Sequence, residues 1–213
     1  MSTGIIQKIA RKGSDKEKTA AEVIKNPETL TSLFEGLNSD KAALRYGCEK
    51  TLRFISEKRP ELLYPHFDFF VKMLDSENNF LKWGAIITIA NLTGADKENR
   101  FEKIFDKYFS PITGPVMITA GNTIGSAARI ALYKPRLIER ITREILKVEK
   151  AKYKTKECAN VACGHAIDSF DQFYEKIIDK GPVTEFIKRQ LRNTRVPVRK
   201  RAEKFLKRHK IVF

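Results

Sequence analysis

The sequence predicts an all-α protein built as a solenoid, in which pairs of helices stack on one another. The first observation is a repeated segment, because Leu44 to Leu52 reads LRYGCEKTL and Val198 to Leu206 reads VRKRAEKFL. The second is the spacing of marker positions, which step by 37, 41, 39 and 37 residues along the chain: Gly47, Gly84, Gly125, Gly164 and Arg201. Gly121, which is also 37 residues after Gly84, is an alternative to Gly125 that leaves the register of the third repeat open. A period of about 40 residues is typical of helical repeats, whose units bury their apolar faces against their neighbours.

The first residues are expected to cover the open end of this array. Residues 2–12 are predicted to form a short helix. Asp15 is a suitable N-cap for the amphipathic segment KEKTAAEVIK, which should end at Asn26 before Pro27. We therefore assign 1–26 to an N-terminal cap.

The first two helix pairs show clear helical periodicity. Leu30, Leu33 and Leu37 recur at three- and four-residue intervals, which predicts the first, or outer, helix of a pair. The second, or inner, helix follows over the repeated segment that begins at Leu44. In the next pair the inner helix, Phe80 to Leu92, is apolar nearly all round and is expected to be covered on both sides.

The later pairs are predicted from the same pattern and from helix breakers. The third spans Glu98 to Phe109 and Pro115 to Tyr133, and the fourth begins with RLIERITREIL and resumes near Lys156. Gly181 and Pro182 separate the fourth pair from the fifth. We predict one domain, 1–213, in which the cap is followed by helix pairs at about 27–60, 61–94, 96–134, 135–180 and 182–210.

Composition argues against a membrane span and against export. The uncharged segment Ser110 to Ala128 contains two prolines and polar residues, unlike a spanning helix. The N-terminus has no apolar signal core, so a cytoplasmic protein is expected.

Metals, cofactors and disulfides are not predicted. Three cysteines do not make a disulfide framework, and Cys48 and Cys163 lie at or beside the small-residue position of the repeat. Cys158, Cys163 and His165 make a poor zinc site, because helical residues five apart point to different faces and no fourth ligand is evident. No nucleophile elbow or phosphate loop is present, so no catalytic residue is assigned.

The positive charge is concentrated in the last third of the chain. The net charge is +15, of which residues 134–156 contribute +6 and residues 182–213 contribute +9, while residues 157–181 carry −3. Such a basic end predicts binding to a polyanion or to an acidic protein surface. The candidate polyanion-binding residues are Lys188, Arg189, Arg192, Arg195, Arg199, Lys200, Lys204 and Arg208.

The fixed positions of these units resemble HEAT repeats. An apolar residue is followed by a basic one, then by a small residue three positions on and a branched apolar one four beyond that: Leu44-Arg45, Cys48 and Leu52; Leu81-Lys82, Ala85 and Ile89; Val198-Arg199, Ala202 and Leu206. The resemblance implies a right-handed superhelix whose concave face binds other molecules, most often proteins. The candidates for that face are Tyr46, Arg53, Trp83, Asn122 and Asn160.

Two classes of function follow from these patterns. The first is a non-enzymatic scaffold that holds another macromolecule, in particular a protein, on its repeat surface. The alternative is nucleic-acid binding through the basic C-terminal repeats, with the HEAT-like DNA glycosylases for alkylated bases as its specific form. Those enzymes use tryptophans and an aspartate, whereas this chain has a single tryptophan, Trp83, and its nearest acidic candidates are Asp168 and Asp171.

Overall fold

The protein is all-α, as the sequence predicts. The computed structural model describes the backbone of residues 2–212 and the side chains of residues 4–212, and this part of the chain contains helices and turns but no strand. The chain forms two compact units, Met1–Lys103 and Ile104–Phe213. Within residues 2–212, every helix is too short or too polar to cross a bilayer.

The N-terminal unit consists of a helical cap and two helix pairs. Its helices are α1 (Ser2–Ala10), α2 (Lys16–Lys25), α3 (Leu30–Gly36), α4 (Ala42–Lys58), α5 (Pro60–Leu63), α6 (Phe67–Met73), α7 (Asn79–Leu92) and α8 (Arg100–Lys103). The inner helices α4 and α7 pack against each other, and α1 and α2 also pack against α4. Asp15 caps α2 by accepting hydrogen bonds from the backbone N–H groups of Glu17 and Lys18, both at 3.0 Å.

Gly47 allows this cap to approach α4 closely. A Cβ atom at this position would lie 2.5 Å from Cγ2 of Ile9 and 3.0 Å from Cε of Lys16. The apolar face of α4 is buried between its neighbours, with Cys48, Leu52 and Ile55 inaccessible to solvent or nearly so. Packing of the cap against α4 therefore requires glycine at position 47.

The C-terminal unit repeats this arrangement. Its helices are α9 (Phe105–Phe109), α10 (Met117–Tyr133), α11 (Ile138–Leu146), α12 (Lys156–Phe173), α13 (Gly181–Gln190) and α14 (Val196–Arg208). The inner helices pack in the order α10, α12, α14, and the outer helices α11 and α13 pack beside each other. Aromatic side chains fill the space between the rows, and Phe170 contacts Phe186 with their ring centroids 5.9 Å apart.

Of the two registers that the sequence spacing allows for the third repeat, the structure has the one that is marked by Gly121. Gly125 is exposed, and a Cβ added there would have no neighbour within 4 Å. Gly121 is buried, and a Cβ there would lie 3.2 Å from Cδ2 of His165 on α12. The close approach between α10 and α12 thus occurs at Gly121, which is 37 residues after Gly84.

The arginine of the repeated segment has the same structural role at both ends of the chain. Nη1 of Arg45 donates to the carbonyl of Ser39 at 2.8 Å, and Nη1 of Arg199 donates to the carbonyl of Asn193 at 2.7 Å. Each acceptor precedes its arginine by six residues and lies in the turn between the two helices of a pair. The arginine therefore fastens the turn to the inner helix, because it satisfies a carbonyl that has no helical partner.

The protein is expected to lose stability at alkaline pH because three of its tyrosine hydroxyls have raised pKa values. Burial raises the pKa of Tyr64 and of Tyr153 to about 12, and it also raises the pKa of the fully buried Tyr108. The ordinary value in an unfolded chain is about 10. The protonated hydroxyls therefore contribute stability that is fully present below about pH 10 and is lost as the pH rises through about 12.

Urea denaturation at about pH 8 and about pH 11 is expected to show a lower midpoint at the higher pH. Because lysines also titrate in this range, the control is the double variant Tyr64→Phe, Tyr153→Phe, which should show a smaller fall. An equal fall in the variant would mean that these hydroxyls are not responsible.

Candidate functional site

An exposed aromatic cluster lies on the paired inner helices of the N-terminal unit. We define the aromatic cluster as Tyr46 on α4 with Phe80 and Trp83 on α7. The ring centroid of Phe80 lies 5.1 Å from that of Tyr46 and 5.2 Å from that of Trp83, so the central ring joins the other two. Phe80 is 59% exposed, while Tyr46 and Trp83 are half-buried. The helix predicted to be covered on both sides therefore presents an aromatic edge to solvent.

Tyr46 gives the aromatic cluster a fixed polar group. Nδ2 of Asn78 donates to its hydroxyl oxygen at 3.1 Å, and Nη2 of Arg45 donates at 3.5 Å. These hydrogen bonds, first that of Arg45 and then that of Asn78, lower the pKa of Tyr46. Since both neighbours donate, the hydroxyl proton of Tyr46 is left to donate to an acceptor on a bound molecule.

The carboxylate of Glu49 is largely buried between α4 and α7. Only 11% of the Glu49 side chain is accessible, and burial raises its pKa. Arg53, one of the predicted surface residues, lies beside it with Nε 3.4 Å from Oε1. Within the described residues, Oε1 of Glu49 has no hydrogen-bond partner. The space for this side chain exists because residue 84 is glycine, where a Cβ would lie 2.1 Å from the same oxygen.

The structure thus brings two of the five predicted binding residues, Tyr46 and Trp83, into one cluster with Phe80, while Arg53 lies beside Glu49 on the same pair of helices. Tyr46, Arg53 and Trp83 belong to α4 and α7, and Phe80 connects the two aromatic members. Phe80 was overlooked because its helix has no polar face against which an exposed residue stands out. Its position three residues before Trp83 is the available signal, since residues at that spacing share one helix face.

The two predicted asparagines lie in the C-terminal unit and use their amide donors internally. Nδ2 of Asn122 donates to the carbonyl of Ile118 at 2.9 Å, within α10. Nδ2 of Asn160 on α12 donates to the hydroxyl of Thr194 at 2.9 Å, which ties α12 to the turn before α14. These hydrogen bonds account for both residues without a bound peptide.

Many of the predicted polyanion-binding residues are paired inside the C-terminal unit. Nη2 of Arg189 lies 2.7 Å from Oε2 of Glu149, and Nη1 of Arg195 lies 2.6 Å from Oε1 of Glu157. The hydrogen bonds that Arg189 donates to Glu149 raise the pKa of Arg189. In each pair the carboxylate belongs to the preceding helix pair, 40 and 38 residues earlier. Much of the charge on these two residues is therefore neutralised locally.

Two more candidates have partners close in sequence. Nζ of Lys188 lies 3.7 Å from Oε1 of Glu185, one turn earlier on α13. Nη1 of Arg199 donates to the carbonyls of Asn193 and Thr194 at 2.7 and 3.2 Å. Arg199 is therefore a structural residue of the turn before α14.

The acidic residues on α12 hold α14 in place. Oδ2 of Asp168 lies 2.8 Å from Nη1 of Arg201. Burial of the Asp168 carboxyl raises its pKa. Asp171 pairs with Arg208 and also lies 3.0 Å from Nε2 of His209. These contacts give Asp168 and Asp171 a structural role between the two helices, and they also engage the candidate Arg208.

The remaining three candidates are exposed and unpaired. Arg192, Lys200 and Lys204 have no ion pair with any carboxylate among the residues that the structure describes. Arg192 follows α13, whereas Lys200 and Lys204 lie on α14. The eight basic candidates therefore do not form one free cationic surface.

Comparison with known proteins identifies the fold. No protein-family model matches the chain, and no curated protein matches it. The crystal structure of an engineered protein, a Northeast Structural Genomics Consortium target, matches with a TM-score of 0.56 at 14% identity over 98% of this chain and 88% of that one. A designed armadillo repeat protein matches with a TM-score of 0.54 at 18% identity over 97% of this chain and 90% of that one. At these identities the likeness shows an all-α solenoid of the HEAT and armadillo type, which confirms the predicted fold class.

Proposed function

We propose that this chain is a non-enzymatic binding module that holds a protein partner on the aromatic cluster of its N-terminal unit. The observation that carries the proposal is the exposure of Phe80, which is 59% accessible although it contacts both Tyr46 and Trp83. A large aromatic side chain exposed beside two others is unusual unless something covers it. Repeat proteins present such side chains on rigid helices, and the solenoid fold is consistent with that use.

The chemistry of the aromatic cluster suits an apolar anchor flanked by a polar group. Tryptophan and tyrosine are the residue types most enriched at binding hot spots, because they bury large areas with few rotatable bonds. The hydroxyl of Tyr46 is oriented by Arg45 and Asn78, so an acceptor on the partner meets a fixed donor. Arg53 adds a positive charge beside Glu49. We therefore expect the partner to insert an aliphatic or aromatic side chain next to a carbonyl or carboxylate.

The proposal is tested by affinity capture with matched variants. The immobilised chain is exposed to nuclease-treated extract of its native cells, and the retained proteins are quantified for the wild type and for Phe80→Ala, Trp83→Ala and Phe69→Ala. Phe69 is the control, because it is a half-buried aromatic residue on the outer helix α6 and not a member of the aromatic cluster. Its ring centroid lies 5.0 Å from that of Phe34. A protein partner of the aromatic cluster is retained by the wild type and the control but lost from the other two variants.

The isolated partner then allows a quantitative measurement. Trp83→Ala is expected to weaken binding by about 2 kcal/mol, or roughly thirtyfold, as for a hot-spot residue. Trp83 is the single tryptophan, so its fluorescence reports on this surface alone. Acrylamide should quench it in the free chain and quench it less in the complex. Equal affinities of Trp83→Ala and the wild type, or unaltered quenching on binding, would contradict the proposal.

A further inference from the structure

The C-terminal unit distributes its positive charge differently from what the sequence suggests. On the terminal helix α14, Arg201 and Arg208 are neutralised by aspartates of α12, and Arg195, which immediately precedes the helix, pairs with Glu157. Residues 134–156 nevertheless contain nine basic and three acidic side chains. This second basic segment forms α11 and the turn after it, which belong to the outer helices.

Two cavities lie along these outer helices and share Arg189. One, of about 350 Å³, is formed by α11, the turn that follows it and α13, and the other, of about 420 Å³, lies at the C-terminal end of α13. We call them together the outer groove. The basic residues that line it are Arg143, Lys147, Lys150, Lys188, Arg189 and Arg192.

The outer groove has more positive charge than the carboxylates in it and next to it neutralise. Glu144 pairs with Lys147 at 2.6 Å, Glu149 pairs with Arg189, and Glu185 lies near Lys188. Each of the three acidic groups is thus already engaged.

Arg143, Lys150 and Arg192 are exposed and form no ion pair among the described residues. Three unneutralised cations in one groove form a site for an anionic ligand with several charges.

We propose that the outer groove binds the phosphate backbone of double-stranded nucleic acid without reading its sequence. This inference is independent of the protein-binding function proposed for the N-terminal unit. A duplex presents one negative charge for about every 1.7 Å of its axis, so several fixed cations release counterions together. Among the described residues, no aromatic side chain lines either cavity, which argues against a single strand, because single-strand sites stack bases on aromatic rings.

The lining of the outer groove also favours a duplex over a membrane. Its apolar members are Leu146, Pro182 and Leu191, of which the two leucines are half-buried and cannot insert into a bilayer. Beyond Lys150 the chain continues with exposed Lys152 and Lys154.

The loop that carries Lys152 and Lys154 is anchored between them. The hydroxyl of Tyr153 donates to the carbonyl of Ile112 at 2.5 Å, which fixes the loop at that point. The two lysines thereby extend the cationic surface next to the groove from a fixed backbone.

The experiment compares two triple variants of the full chain with equal net charge. The groove variant is Arg143→Glu, Lys150→Glu, Arg192→Glu, and the control is Lys200→Glu, Lys204→Glu, Lys207→Glu on α14. None of the six residues forms an ion pair among those described, so both variants should retain the wild-type circular dichroism spectrum and melting temperature. Binding of a labelled random-sequence duplex is measured by fluorescence anisotropy as a function of salt concentration.

We expect the groove variant to lose more than about tenfold in affinity at about 50 mM salt, whereas the control changes by less than about threefold. Loss of three phosphate contacts should also make the log-log salt slope shallower by about 2.7. The proposal is overturned if the wild type does not bind the duplex at this salt concentration, or if the control variant loses as much affinity as the groove variant. It is equally overturned if polyglutamate, or vesicles of phosphatidylcholine and phosphatidylserine, bind the wild type as tightly as the duplex does.

Discussion

Replacing Gly84 by leucine is expected to lower the free energy of unfolding by about 1 to 3 kcal/mol, because the contact between α4 and α7 has no room for a side chain. A Cβ at this position would lie 2.1 Å from Oε1, 2.5 Å from Cδ and 2.6 Å from Cγ of Glu49. The conflict therefore involves the inner part of the Glu49 side chain as well as its end. Urea denaturation measures the effect and is monitored through the fluorescence of Trp83, which lies in the same unit as Gly84.

A pair of alanine variants separates this steric effect from helix propensity. An exposed helical glycine is normally less stable than alanine by about 0.5 to 1 kcal/mol. Gly125→Ala should therefore stabilise the protein, since a Cβ there meets nothing within 4 Å. Gly84→Ala should destabilise it, and the additional variant Glu49→Ala should remove most of that cost. If both alanine variants stabilise the protein, Gly84 is not a packing position.

The period of the sequence could predict more than the fold. Contacts between consecutive helix pairs join residues about one repeat apart, as with Tyr46 and Asn78, 32 residues apart, or Arg195 and Glu157, 38 apart. Because a residue one period earlier lies on the neighbouring helix, the neutralisation of Arg195 could have been inferred from spacing. The equivalent roles of Arg45 and Arg199 are implied by their matching positions in the repeated segment.

Other features of the candidate surface could not be predicted from the pattern. Whether Phe80 is covered depends on how the neighbouring helices pack at the N-terminal end of α7. Because that helix is apolar nearly all round, its sequence does not show which side faces solvent. The choice between Gly121 and Gly125 depends on which glycine faces His165, and two glycines four residues apart lie on the same side of a helix. The outer groove arises from α11 and α13, whose charges are separated by about one repeat in sequence.

Asp96 also went unnoticed in the sequence, since an aspartate in the segment GADKENR is typical of an exposed turn. In the structure its side chain is buried, with the residue 4% accessible. Oδ1 accepts hydrogen bonds from the Tyr64 hydroxyl at 2.6 Å and from the backbone N–H of Arg100 at 2.8 Å. Oδ2 accepts from the backbone N–H of Phe101 at 3.1 Å. One carboxylate thus caps α8 and ties it to the segment before α6.

Asp96→Ala is therefore expected to lower the free energy of unfolding by about 3 kcal/mol or more, because it leaves three donors unsatisfied and each buried one costs about 1 to 3 kcal/mol. Asp96→Asn, which keeps an acceptor oxygen, should be intermediate. Asp40→Ala is the control, since Asp40 is exposed, and it should change stability by less than about 0.5 kcal/mol. Urea denaturation provides the energies, and amide hydrogen exchange at Arg100 and Phe101 provides the local measurement. Faster exchange at these two amides in Asp96→Ala but not in Asp40→Ala would assign the loss to the cap, whereas equal stability of the two alanine variants would show that the buried carboxylate contributes nothing.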